Sequence, residues 1–185
     1  MEKSASGNIS KSVIRVIGVG QPFAGDDGVG FEIAGRLRQQ IKQLDVSNIE
    51  EDASSIEVLR TTDSTTLIYA FKGASKVIIV DAVKGGGSPG DVLRLTPETL
   101  CQTQAVPVST HGLSVIDAIE LSKIFMAEQA ELSREKTEIV IIGVVVEDVK
   151  LFDRVLSESV ARAIPKALEM CWAALPSRRP QKSYR

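Results

Sequence analysis

The sequence predicts an α/β domain built on a mostly parallel sheet with helices on both faces. Three observations carry this. Strand-like and helix-like patterns alternate along the chain, which is how parallel strands are joined. Residues 76–83 (KVIIVDAV) and 138–146 (EIVIIGVVV) are apolar on both faces, the pattern of strands covered by helices above and below. The 185 residues, 43% hydrophobic and 25% charged, suffice for one domain of ordinary size with its own core. That domain is expected over residues 13–175. Residues 1–12 are expected to be a flexible N-terminal extension and 176–185 a basic, disordered tail.

Each element has a local reason. Residues 13–19 (VIRVIGV) are β-branched, mostly apolar and read as a buried strand. A glycine-rich loop follows over residues 18–30. Val29, Ile33, Leu37 and Ile41 then recur every four residues, one face of a helix. A second strand is expected over residues 56–59. Asp63 or Ser64 can cap a helix carrying Leu67, Ile68 and Phe71, which Gly73 ends. The strand at 76–83 runs into a turn of Gly85, Gly86, Gly87, Pro89 and Gly90, then a short, antiparallel strand at 91–95. Thr110 or His111 opens the next helix, with Val115, Ile116 and Ile119 inward. After the strand at 138–146, Leu156, Val160, Ile164, Leu168, Cys171 and Leu175 trace a final helix, which Pro165 is expected to kink.

Composition excludes several function classes. No stretch approaches the ~18 apolar residues of a membrane helix, and the polar first twelve residues lack a signal-peptide core; a cytoplasmic protein is expected. The 22 basic and 24 acidic residues give a net charge of −2, and aromatics are 4%, so neither a phosphate-binding surface nor base-stacking platforms are indicated. Two cysteines, Cys101 and Cys171, are too few for a disulfide framework. Cys171 sits on the apolar stripe and reads as core. Cys101 has no basic neighbour in sequence to make it a nucleophile.

In parallel sheets, ligands gather beyond the carboxyl ends of the strands. The first strand ends in the loop GVGQPFAGDDGVG, the strand at 76–83 approaches its end at Asp81, and Ser109-Thr110-His111-Gly112 precedes a helix. The loop fails both familiar glycine motifs. A dinucleotide loop needs its third glycine three residues after the second, but Gln21, Pro22 and Phe23 follow Gly20 and the next glycine is Gly25. A phosphate loop needs lysine after its last glycine, and here Asp26 and Asp27 would repel a triphosphate. Acids in that place favour a cation. Asp27, Asp81 and His111 form a two-oxygen, one-nitrogen set suited to zinc or nickel. Taken singly, Asp27 also reads as a helix N-terminal acid and His111 as a structural histidine at a helix start. Asp81, at an apolar strand end, needs a partner.

Four segments together, VIGVGQPFAGDDGVG (16–30), VIIVDAV (77–83), THGLS (110–114) and IIGV (141–144), resemble the hydrogenase maturation proteases. The resemblance implies a three-layer α/β/α fold with a central, mostly parallel sheet. It implies an endopeptidase that removes the C-terminal extension of a nickel-iron hydrogenase large-subunit precursor after nickel insertion. It carries the metal-contacting roles to Asp27, Asp81 and His111, which would read nickel held by the substrate. No organic cofactor, nucleic acid or membrane is implied. Two departures stand out. Gln21 takes the place of the family's usual asparagine, and Leu59-Arg-Thr-Thr-Asp63 lacks an Asp-Gly-Gly pattern, with Asp63 the nearest acid. Two further readings compete: a non-catalytic, metal-responsive binding module with the same ligands, and a nucleotide enzyme, which the acidic loop disfavours.

Overall fold

The computed structural model describes residues 13–44, 55–108, 113–128, 137–147 and 155–176. Its strands are β1 (Val13–Val19), β2 (Ser55–Thr61), β3 (Ala74–Lys84), β4 (Val92–Leu95), β5 (Val106–Pro107) and β6 (Glu138–Val146). Its helices are α1 (Val29–Leu44), α2 (Thr65–Ala70), α3 (Pro97–Gln102), α4 (Val115–Glu128) and α5 (Glu158–Ala174). The sheet order is β2-β1-β3-β6-β4. Pairs β1–β2, β1–β3 and β3–β6 are parallel, while β4 runs antiparallel on β6 and β5 antiparallel on β3.

Side-chain alternation along β3 divides the core into two layers. Ile78, Val80 and Ala82 pack with Ile33 and Leu37 of α1 and Val160, Ile164 and Cys171 of α5. Val77, Ile79 and Val83 pack with Leu67 of α2, Leu100 of α3 and Val115 and Ile119 of α4. The α/β/α arrangement and the mostly parallel sheet are therefore as the strand patterns predicted. Cys171 is buried in the first layer, and burial pushes its thiol up to about 12.

Several local details differ from the sequence reading. The second strand extends beyond 56–59 to Ser55–Thr61 because β1 pairs with it along its whole length. The helix expected to open at Thr110 or His111 begins at Val115. Ser114 and Asp117 set that start: Ser114 Oγ accepts from the Asp117 N–H, and the Asp117 carboxylate accepts from the Ser114 N–H and hydroxyl. Thr110 and His111 lie outside the described residues. Asp63, rather than Ser64, serves α2, its carboxylate accepting from the Thr65 N–H and hydroxyl. Phe71 falls just past the end of α2 yet is buried. α5 continues through Pro165, with buried residues on both sides of it. α3 was not anticipated, although Thr96 before Pro97 is a start signal. Thr96 Oγ1 accepts from the Thr99 N–H, and proline occupies the first turn, where its missing N–H costs nothing.

Candidate functional site

β1 and β3 lie side by side, with β2 on the far side of β1 and β6 on the far side of β3. Their carboxyl ends therefore flank the crevice where ligands collect in such sheets. The loop after β1 starts at Gly20, whose φ of +141° is one that glycine adopts without strain. A Cβ there would lie 1.9 Å from the Asp27 carbonyl oxygen. The Gly20 N–H donates to Thr61 O at 3.2 Å, fastening the loop to the end of β2. A 3₁₀ turn over Gly25–Gly28 presents Asp26 and Asp27, and α1 begins immediately after it. At Gly30 the first turn of α1 lies against both strand ends. A Cβ added there would be 2.3 Å from Val80 O and 2.4 Å from Val19 O. This close approach brings the acidic turn to the end of β3.

Asp27 and Asp81 are both buried. Asp27 Oδ2 accepts from the Gln21 N–H at 3.1 Å. The Gln21 side chain reaches outward instead, its Nε2 donating to Thr62 O at 3.0 Å. The amide at this position thus ties the loop to the segment after β2. Asp81 Oδ1 accepts from the Ala82 N–H at 2.9 Å, while Oδ2 is buried with no hydrogen-bond partner among the described residues. Burial, then the neighbouring Asp27 charge, raise the Asp81 carboxyl well above the usual carboxylate range; the Ala82 N–H opposes them.

His111 lies outside the described residues, and the described chain before it ends at Val108. β5 pairs Val83 with Pro107 and Lys84 with Val106, and the Val108 N–H donates to Ala82 O at 3.0 Å. Val108 is thus bonded one residue from Asp81 along β3. Among the described residues, no group of three or more His, Cys, Asp or Glu side chains assembles into a metal cluster. The structure thus brings two of the three sequence-predicted residues together. Asp63 has a local role, holding the start of α2. Sequence reasoning missed Asp26, whose partner is 131 residues away. It also missed β5, a two-residue strand whose pattern no periodicity could reveal.

The Asp81 carboxyl makes a prediction about stability. An acid whose pKa is higher in the folded than in the unfolded chain holds its proton more tightly when folded. Its contribution is therefore most favourable below the unfolded value of about 3.9 and declines as pH rises through the folded value. Asp81→Asn has no such titration. The melting-temperature difference between variant and wild type should shift in the variant's favour as pH is raised from about 4. A difference independent of pH would show that the Asp81 carboxyl is not displaced.

Comparison with known proteins starts from this geometry. A family model described as hydrogenase maturation protease, HycI, matches residues 47–174, a span that contains Asp81 and His111 and leaves out the loop of Asp27. The protein FrxA of Pyrococcus furiosus is 31% identical over 147 residues, covering 79% of this chain and 93% of its own. Among solved structures, the NiFe hydrogenase maturation protease HybD of Thermococcus kodakarensis aligns with a TM-score of 0.63 at 23% identity, over 89% of this chain and 99% of that one. The NiFe hydrogenase maturation protease HycI of Thermococcus kodakarensis KOD1 aligns with a TM-score of 0.55 at 28% identity, over 90% and 92%. The sheet whose strand ends bring Asp27 beside Asp81 is thus the sheet of these proteases, and with the family match running over most of its length this chain belongs to the hydrogenase maturation protease family.

Proposed function

We propose that this protein is the endopeptidase that removes the C-terminal extension from a nickel-iron hydrogenase large-subunit precursor after nickel insertion. Asp27, Asp81 and His111 read the nickel, which arrives in the substrate; the enzyme needs no organic cofactor. The observation that carries this reading is the Asp81 carboxylate, buried beside a second carboxylate with one oxygen unpartnered among the described residues. Two like charges out of water are costly unless compensated. A dication relieves both the repulsion and the unmet oxygen. An imidazole from His111 would complete a mixed oxygen and nitrogen set suited to nickel. Loaded precursor then binds better than empty precursor, and that difference makes cleavage wait for the metal. Nickel in the site can polarise the scissile carbonyl or activate a water, both general roles of a bound dication.

No helix among the described residues is long and apolar enough to cross a membrane. The test is to incubate the protein with nickel-loaded and nickel-free precursor and to weigh the products. Release of the C-terminal peptide from loaded precursor alone is the expected result. No release from either would instead fit a metal-responsive binding module, and equal rates from both would end the nickel-reading role.

A further inference from the structure

Asp27 has a neighbour of the same charge whose side chain is engaged elsewhere. Asp26 is 9% exposed, and its Oδ1 accepts a 2.6 Å hydrogen bond from the backbone N–H of Ser157. Ser157 is the N-cap of α5, its own hydroxyl accepting from the Val160 N–H. One flank of the acidic loop is already tied to the segment after β2, through the Gln21 amide and the Gly20 N–H. Asp26 supplies a second tie, to a 17-residue helix packed against α1 and β6. A carboxylate acceptor at a helix amino end is a strong, short hydrogen bond. Consecutive carboxylates thus diverge: Asp26 binds the scaffold and Asp27 faces Asp81.

We propose that Asp26 is a positioning residue that clamps the acidic loop to α5 and so holds Asp27 in place beside Asp81. This rests on the reading that Asp27 and Asp81 meet the substrate's nickel. Side chains behind a metal ligand commonly alter affinity by about 10–100-fold, because a ligand free to swing must be ordered at each binding event. The clamp works through its acceptor oxygen. An asparagine at position 26 keeps that oxygen and loses the charge.

The experiment titrates Ni²⁺ alone into the full-length protein by calorimetry, with circular dichroism confirming that each variant is folded. Asp26→Ala should weaken Ni²⁺ binding about tenfold, and Asp26→Asn should restore it to within about threefold of wild type. The donor gives an independent test. Ser157 has φ −58°, which proline adopts. Ser157→Pro therefore deletes the N–H and leaves both aspartates intact; it should match Asp26→Ala. Ser157→Ala loses the cap hydroxyl, keeps the N–H and should bind Ni²⁺ as wild type does. Equal losses in Asp26→Ala and Asp26→Asn, or wild-type affinity in Ser157→Pro, would overturn the clamp. Asp27→Asn and Asp81→Asn separate the two levels. If they bind Ni²⁺ normally, the nickel-reading site itself is wrong. If they lose binding while Asp26→Ala does not, the site stands and the clamp falls.

Discussion

Replacing His111 with alanine is expected to abolish peptide release from a nickel-loaded precursor while the protein remains folded. The loss should exceed the 10–100-fold typical of residues behind a ligand, because the proposed function makes His111 a direct ligand. His111 is the only histidine in the chain, so no other imidazole can replace it. Neutral imidazole is a good nickel ligand, and alanine has no donor atom. If His111 lies in an open cleft, the change in stability should stay within about 0.5 kcal/mol. Asp81→Asn is the companion variant. It keeps the shape and an acceptor for the Ala82 N–H but removes the charge that attracts a dication. Both variants should lose processing as measured by mass spectrometry of the released peptide. Full activity in either would remove that residue from the site.

A large effect on stability should come from one methyl group. Gly30→Ala places a Cβ 2.3 Å from Val80 O and 2.4 Å from Val19 O. Both obstacles are backbone atoms of neighbouring strands in the centre of the sheet, so neither can rotate away. Overpacking in a filled interior costs about 1–3 kcal/mol, and this position should lie at or above the upper end. For a protein of this length, that is a fall in melting temperature of roughly 6–12 °C. The loss should extend to function, since pushing α1 away from β1 and β3 also moves the turn that carries Asp27. A thermal melt and a processing assay on the same sample check both consequences. A melting temperature within a degree of wild type would show that α1 does not lie as close to the strands as Gly30 allows.

The architecture was legible because burial on two faces leaves a plain mark. Strands such as β3 and β6 read as unbroken apolar runs, and α1 shows its inward face at every fourth residue. Short elements leave no such mark. β5 is two residues, and α3 is held by a local Thr96 cap and a proline rather than by a long periodic stripe. The sequence places the start of α4 too early, at Thr110 or His111, because Thr110 is of a type that caps helices. The reciprocal bonds of Ser114 and Asp117 choose the later start.

For the site, the sequence alone determined which residue types stand at the strand ends. Acids in the glycine loop argued against a phosphate ligand, and Asp81 interrupted an apolar strand where a carboxylate needs a partner. Only the tertiary structure decided how those residues meet. The parallel pairing of β1 with β3 and the glycine contact at Gly30 bring Asp27 beside Asp81, residues 54 positions apart in the chain. It also gave Asp26 and Asp27, indistinguishable as neighbouring letters, opposite partners: the N–H of Ser157 for one, the N–H of Gln21 for the other. The reason is physical. Which carboxylate is buried, paired or left with an unmet oxygen depends on atoms brought together from distant segments, and local pattern carries no record of them.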